Sequence, residues 1–172
     1  MELTLYYRGE LAASGSNPEH KHLLRCCFHV QLRNAASQPP LFGVGVARHD
    51  IGPFHFAAIV CDTLKLVAEL HVVLLRPGPP GYVVRGGDID NRMKTLFDSL
   101  SVPQSNALPH SAKPLDGQEP FWCLLEDDSR ITKVTIETHS LFEEPKTRNE
   151  VILLVHVRTR ATQSSWDNIG VG

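Results

Sequence analysis

The stretch Gly86–Leu100, which reads GGDIDNRMKTLFDSL, carries the clearest helical pattern in the chain. Four apolar residues in it recur at the i, i+3, i+4 and i+7 spacing of one helix face. They are Met93, Leu96, Phe97 and Leu100. This spacing predicts an amphipathic helix that faces a core, and the rest of the chain supplies that core.

Charged residues occupy another flank of the same predicted helix. Asp90, Lys94 and Asp98 follow one another at intervals of four residues, and Asp88 precedes the first turn. An ordinary interpretation is available, since an aspartate at a helix start is commonly a cap and Asp90 with Lys94 is a common i, i+4 ion pair. The alternative is that the aspartates bind a cation.

A second acidic cluster favours the cation. Glu126, Asp127 and Asp128 are adjacent, after the apolar run Phe121–Leu125 and before Ser129–Ile136, which alternates in part like a half-buried strand. Three adjacent carboxylates repel one another unless solvent, a base or a metal ion offsets their charge. Two carboxylate clusters brought together would form an oxygen-rich site suited to Mg²⁺ or Mn²⁺.

Length and composition indicate one globular domain over 1–172. Of the 172 residues, 42% are hydrophobic and 21% are charged, which is typical of a folded protein. Lys and Arg number 17 against 19 for Asp and Glu, so the formal net charge is -2. The chain therefore has no overall basic field, and binding to nucleic acid would need a local basic patch.

The cysteines and the N-terminal segment indicate a cytoplasmic protein. Cys26, Cys27, Cys61 and Cys123 form no C-x-x-C pair and have no histidine partners at zinc-finger spacing. We expect unbonded thiols in a reducing compartment. The first residues lack a secretory signal pattern, and no apolar run approaches the roughly 20 residues of a membrane span.

Periodicity along the chain predicts an α+β fold with about five strands in a mostly antiparallel or mixed sheet and two main helices. A Pro-rich loop, 101–120, follows the second helix and is long enough to be functional or mobile. We expect strands at 54–60 and 65–76 to be neighbours, and strands at 134–141 and 151–160 to form an antiparallel hairpin. The remaining predicted elements are a strand at 2–7 and a helix at 19–36.

The helix at 19–36 has two faces of different character. Leu23, Cys27 and Val30 recur at i, i+4 and i+7 on one of them, with Leu24 and Phe28 beside this stripe. The other face carries Lys21, His22, Arg25, His29 and Arg33. We expect that charged row to be solvated rather than to form a strip for phosphates. A strand over its second half, where Phe28, Val30 and Leu32 alternate, is the competing prediction.

The order of the two acidic motifs resembles the RusA family of Holliday junction resolvases. The resemblance rests on D-x-D-N-x-x-K-x-x-x-D-x-L from Asp88 to Leu100 and on D-D-x-x-I from Asp127 to Ile131. It implies that Asp88, Asp90 and Asp128 bind divalent metal and that Lys94 is a catalytic lysine. It also implies a homodimer that cuts branched DNA symmetrically. Members of the family are typically small and basic, with a shorter connection between the motifs.

Residues around these motifs receive supporting roles in this hypothesis. Four polar residues would orient the ligands from outside the metal shell: Asn91, Asp98, Glu126 and Asp127. Four cations flank the acids and would contact DNA phosphates: Arg85, Arg92, Arg130 and Lys133. The predicted function is a Mg²⁺- or Mn²⁺-dependent endonuclease acting on branched DNA. The alternative is a non-catalytic DNA- or protein-interaction domain whose acidic cluster is structural.

Other metal or nucleotide functions fit the sequence less well. A nucleotide-sugar transferase would need Rossmann-like alternation of strands and helices before Asp88, and the chain shows none. An EF-hand loop beginning at Asp88 would need glycine at its sixth position, which is Met93. The histidines show neither H-x-x-x-H nor H-E-x-x-H spacing, and three of them, His71, His139 and His156, fall in predicted strands.

Overall fold

The chain folds into two α-helices and seven β-strands that form two sheets. The computed structural model describes residues 1–12, 17–41, 45–78, 88–147 and 149–171, and for Asp88 it describes the backbone alone. The helices are α1 (Pro18–Ala36) and α2 (Asp88–Leu100). The strands are β1 (Glu2–Glu10), β2 (Ala47–Ile51), β3 (Phe54–Val60), β4 (Leu66–Arg76), β5 (Phe121–Leu125), β6 (Ile131–Ser140) and β7 (Glu150–Ala161). The predicted α+β class with two main helices is confirmed, whereas the prediction of about five strands is wrong, because the described residues form seven strands in two mixed sheets.

The larger sheet has the strand order β1-β7-β4-β6. Strand β7 runs antiparallel to both β1 and β4, and β6 runs parallel to β4. The predicted hairpin between 134–141 and 151–160 is therefore wrong, because β4 lies between β6 and β7. The connection between those two strands is long enough to cross an intervening strand, so chain adjacency did not determine their pairing.

The smaller sheet has the order β2-β3-β5, with β2 antiparallel and β5 parallel to β3. Strands β3 and β4 follow each other in the chain but lie in different sheets, so the prediction that 54–60 and 65–76 are neighbouring strands is wrong in this respect. Phe54, Phe56 and Phe121 form an aromatic cluster on this sheet together with the buried Cys123. All four cysteines of the chain are free thiols.

The main core lies between the larger sheet and the two helices. Strand β4 contributes Leu70, Val72 and Leu74 to it, and α2 contributes Met93 and Leu96. Alternate residues of β4 point to the opposite face of the sheet, because successive side chains of a strand face opposite ways. The larger sheet therefore has one covered face and one face that the helices leave open.

Helix α1 begins where the sequence predicts. Asn17 caps it by accepting hydrogen bonds from the backbone N–H groups of Glu19 and His20, and Pro18 occupies the first turn, where its missing N–H is not needed. The helix ends at Ala36, so the competing prediction of a strand over its second half is wrong.

The face of α1 that packs inward differs from the predicted one. The buried residues are Leu24, Arg25, Phe28, His29, Leu32 and Ala36. Leu23 is 57% exposed and Val30 is 47% exposed. The expectation that Arg25 and His29 lie on a solvated face is therefore wrong. Polar side chains fit the inner face because it meets the backbone groups of β5 and of the end of α2.

Gln31 of α1 covers the outer edge of β1. Its Oε1 accepts a hydrogen bond from the backbone N–H of Tyr6 at 2.9 Å, and its Nε2 donates to the backbone carbonyl of Tyr6 at 2.8 Å. The side-chain amide thus replaces one residue of a neighbouring strand. An unpaired strand edge is open to association with another chain, so this contact closes part of it.

The last described residues fold back onto the molecule. Val171 is 0% exposed and belongs to the main core, and the buried amide of Asn168 donates to the carbonyls of Leu64 at 2.9 Å and Gln163 at 2.7 Å. The N-terminal amino group of Met1 donates to the carbonyl of Val171 at 3.3 Å. The two ends of the chain therefore meet beside β7.

Among the described residues, no helix combines the length and the apolar character needed to cross a lipid bilayer.

Candidate active-site cleft

The predicted apolar stripe of α2 faces the core. Met93, Leu96 and Leu100 are buried, Phe97 is half-buried, and Ile89 extends the stripe by one turn toward the helix start. This burial fixes the rotation of the helix about its axis. The flank that carries Asp90, Lys94 and Asp98 is consequently turned away from the core.

The two acidic motifs line the same cleft, which has a volume of about 390 Å³. Helix α2 contributes Lys94 and Asp98 to its lining, and the segment after β5 contributes Asp127 and Asp128. The start of the Pro-rich loop completes the wall with Ser101, Val102, Pro103, Gln104 and Ala107. The meeting of the motifs follows from the fold, because Ser101 pairs with Leu125 in a parallel bridge and Val102 donates to the Leu125 carbonyl at 2.9 Å.

Asp90 lies on the same flank of α2 as Lys94. A separation of four residues corresponds to about one helical turn, or about 6 Å along the axis. Asp90 is exposed, as are Lys94 and Asp128. The side chain of Asp88 and the whole of Arg85 lie outside the described residues, so of the predicted metal ligands the structure places the side chains of Asp90 and Asp128.

Among the described residues, no side chain pairs with Asp90, Lys94 or Asp128. Within the described ranges, none of the three takes part in an ion pair or a side-chain hydrogen bond. Carboxylates with free oxygen atoms suit a hard divalent cation, which takes oxygen ligands. In the same described ranges, no three side chains of His, Cys, Asp or Glu come close enough together to hold a metal ion.

Asp127 has a structural role next to Asp128. It is the cap of a short 3-10 turn, Asp128–Arg130, and its carboxylate accepts a hydrogen bond from the backbone N–H of Ser129 at 3.0 Å. Hydrogen bonding to Ser129, to its side chain first and to its backbone N–H second, lowers the pKa of the Asp127 carboxyl group from its ordinary value. Because its carboxylate caps the turn, Asp127 stabilises the backbone that carries Asp128.

Asp98 pairs with a lysine from the other helix rather than with Lys94. Its Oδ2 lies 2.6 Å from Nζ of Lys21, and both residues line the cleft. The pairing leaves the ammonium group of Lys94 available to the cleft.

Glu126 and Arg130 belong to a separate charged cluster around Asp62. Oε2 of Glu126 accepts from the backbone N–H of Asp62 at 2.7 Å, and the Asp62 carboxylate lies 2.8 Å from both Arg130 and Lys65. These ion pairs lower the pKa of the Asp62 carboxyl group, with Lys65 the larger cause. The cluster fastens the turn after β3 to the turn after β5.

Of the proposed DNA-contacting cations, the three that the structure describes lie in different places. Arg92 donates a hydrogen bond to the backbone carbonyl of Leu11, next to β1. Lys133 lies on the open face of the larger sheet, in a groove that also includes Glu69, whereas α2 packs against the opposite face. The structure therefore separates Lys133 from the cleft. Asn91 is exposed on the first turn of α2.

Two cleft residues, Lys21 and Arg25, were missed by the sequence analysis, which placed them on a solvated face of α1. The signal that identifies them is the i, i+4, i+8 spacing of Leu24, Phe28 and Leu32, which turns Lys21 and Arg25 toward α2. The competing stripe through Leu23 fits the helical period equally well. The choice between the two stripes depends on the packing partners.

No protein-family model, curated protein or solved structure matches this chain. The assignment of a function to the cleft therefore depends on the side chains that line it and on their charges.

Proposed function

We propose that this chain is a RusA-like, divalent-metal-dependent endonuclease that hydrolyses phosphodiester bonds in branched DNA and acts as a homodimer. One observation supports this proposal most directly: Lys94 and Asp128, from the two motifs of the resemblance, line the same cleft. Asp90 lies one helical turn from Lys94 on the same flank of α2. The three charged groups are unpaired within the described part of the chain, and their neighbours Asp98 and Asp127 are engaged in structural contacts.

In this proposal the carboxylates of Asp88, Asp90 and Asp128 hold Mg²⁺ or Mn²⁺. A divalent ion held by these carboxylates would supply a more nucleophilic water and positive charge for the phosphate oxygens. Lys94 supplies a positive charge one turn further along α2, where it offsets the charge that develops on the phosphate being attacked. The Lys21–Asp98 pair keeps Asp98 from neutralising Lys94, and Asp127 fixes the turn that carries Asp128.

A nuclease assay with matched variants tests the proposal. Purified protein is incubated with a four-way junction, a flap and a linear duplex, with Mg²⁺, with Mn²⁺ and without metal. We expect metal-dependent cutting of the branched substrates. We expect Asp90→Asn and Asp128→Asn each to reduce it at least about a hundredfold, which corresponds to about 2.7 kcal/mol of lost transition-state stabilisation.

The matched control is Asp116→Asn, which makes the same chemical change at an exposed aspartate of the Pro-rich loop. It should cut at the wild-type rate. The nuclease proposal would be overturned if the wild type showed no metal-dependent cutting, or if Asp90→Asn and Asp128→Asn cut as fast as the control. Binding of branched DNA without cutting would instead favour the non-catalytic interaction domain.

A further inference from the structure

The open face of the larger sheet carries its side chains in rows. The rows arise because the registers of β1, β7, β4 and β6 align residues that point to the same side. The first row is entirely charged, and its members, in strand order, are Glu2, Arg158, Glu69 and Lys133. The charges therefore alternate from negative to positive across the full width of the sheet.

The next rows are polar and then mainly apolar. In the same strand order the second row is Thr4, His156, His71 and Thr135, and the third is Tyr6, Leu154, Val73 and Glu137. The inner strands of the third row thus contribute two partly exposed aliphatic side chains, Leu154 and Val73. A groove of about 380 Å³ crosses the face along the first two rows.

The first row is self-complementary under one particular symmetry. A two-fold axis that runs along the strands, between β7 and β4, exchanges β1 with β6 and β7 with β4. In a face-to-face pair, Glu2 of one copy then meets Lys133 of the other, and Arg158 meets Glu69. An axis across the strands would instead place Glu2 on Glu2 and Lys133 on Lys133, and this juxtaposition of like charges is unfavourable.

We propose that a second copy of this chain packs on the open sheet face through this strand-parallel two-fold axis. Such an interface is isologous, because the same patch serves both copies. The same axis brings Leu154 of one copy against Val73 of the other, so an apolar contact lies beside the charged rows. The proposed function already includes a homodimer, and this inference rests on it for that point alone. What it adds is the surface through which the two copies associate.

The size of the face is sufficient for a stable pair. Four strands spaced about 4.8 Å apart give a width of about 19 Å, and the nine residues of β1 span about 30 Å. The face then covers roughly 570 Å² on each copy and buries roughly 1,100 Å² in total. Specific interfaces generally exceed about 1,000 Å² in total.

Charge reversal and charge exchange test the surface. The dissociation constant of the wild-type homodimer is measured by sedimentation equilibrium at near-physiological salt, where we expect a dimer at micromolar concentration. Lys133→Glu and Glu2→Lys should each weaken association about a hundredfold, because each places like charges against each other twice in the symmetric pair. The double variant Glu2→Lys with Lys133→Glu should restore association to within about threefold of the wild type, because the contacts become complementary again.

The control is Lys113→Glu, which reverses an exposed lysine of the Pro-rich loop and should leave association unchanged. Circular dichroism confirms that each variant is folded. A wild-type dimer that Lys133→Glu does not weaken, or that the double variant does not restore, would overturn this surface and leave the homodimer itself standing. A wild type that stays monomeric would overturn both. Neither outcome depends on the nuclease assay, which tests the chemistry separately.

Discussion

Arg25 shows how a single buried charge connects the two helices. It is 2% exposed, and its guanidinium donates to the backbone carbonyls of Asp98 at 2.8 Å and Ser101 at 3.2 Å. The last carbonyls of a helix lack intrahelical partners and carry the negative end of the helix dipole, so a cation is favourable there. Burial lowers the pKa of the Arg25 guanidinium from its ordinary value. Arg25 therefore positions the end of α2 and the cleft wall beside it.

We predict that Arg25→Met lowers the free energy of unfolding by about 2–4 kcal/mol, because the buried Ser101 carbonyl and the partly buried Asp98 carbonyl lose their donors. Arg25→Lys should recover only part of this loss, since one ammonium group does not reproduce the planar fork of a guanidinium. Urea denaturation measures both variants. The control is Arg33→Met on the same helix, whose contact with the Gly117 carbonyl is exposed. Equal losses for Arg25→Met and Arg33→Met would contradict the assigned role.

The sequence did not reveal this role, and the reason is physical. The carbonyls that Arg25 binds are 73 and 76 residues away along the chain, so no local pattern marks them. By contrast, the spacing of Met93, Leu96 and Leu100 is local and predicted the buried face of α2. The charged residues in the cleft and on the adjoining flank of α2 divide in the same way. Asp90 and Lys94 follow from helix spacing, whereas the Lys21–Asp98 pair depends on tertiary packing.

At the scale of a single element, helix α1 carries three partly or fully buried histidines, His20, His22 and His29. Nδ1 of His29 accepts a hydrogen bond from the backbone N–H of Trp122 at 2.8 Å, which joins α1 to β5. The ring of His22 packs against Phe54 and Phe121. Burial is the largest cause that lowers the pKa of His20, His22 and His29 from the ordinary value.

The sign of the resulting pH dependence follows from proton binding. Below about pH 6.5 the histidines of the unfolded chain take up protons, whereas the buried ones resist protonation. The stability that these histidines contribute is therefore present above about pH 6.5 and is lost as the pH falls below it. His55 acts in the opposite direction, because its hydrogen bond to Asp50 raises its pKa, but it is exposed.

We predict that the free energy of unfolding, measured by urea denaturation, decreases as the pH is lowered from 7.5 to 5.5. His29→Asn should reduce this decrease, because the Asn side-chain oxygen can accept the Trp122 hydrogen bond and does not titrate. His110→Asn makes the same change at an exposed position and should leave the pH profile unaltered. The assignment would be rejected if the profile of His29→Asn followed that of the wild type.

Local sequence patterns predicted most of the strands but not how the strands pair. Strand β4 was anticipated because Leu66–Arg76 is rich in strand-forming residues, and β7 was anticipated for the same reason. The strands that pair with them were not predicted. The pairing of β6 with β4, for example, joins segments that α2, β5 and the Pro-rich loop separate in the chain. Strand β2 was missed altogether, since Ala47–Ile51 shows no clear alternation of apolar and polar residues.

At the scale of the whole molecule, the last residues complete the core. The sequence from Ala161 onward shows no periodicity, and the structure explains why it is ordered nonetheless. Asn168 reaches the carbonyl of Leu64, 104 residues earlier, and Thr159 donates to the Met1 carbonyl at 3.2 Å. Because individual hydrogen bonds to residues far away in the chain hold this segment, its sequence needs no repeating pattern.

We predict that Asn168→Ala lowers the free energy of unfolding by about 2–3 kcal/mol, because the buried Leu64 carbonyl and the partly buried Gln163 carbonyl lose their donor. For a domain of this size the melting temperature should fall by about 4–10 °C, measured by calorimetry. Asn168→Asp should be no better, since a carboxylate oxygen would face the carbonyls of Leu64 and Gln163. Asp167→Ala, at the exposed neighbouring position, is the control. A wild-type melting temperature for Asn168→Ala would refute the role of the tail.

The contact between Gln31 and Tyr6 makes the two borders of the larger sheet unequal. Strand β1 is closed in part by a side-chain amide at Tyr6, while β6, within the described ranges, hydrogen-bonds to β4 alone. The border along β6 is therefore the more open of the two to β-augmentation by a guest strand.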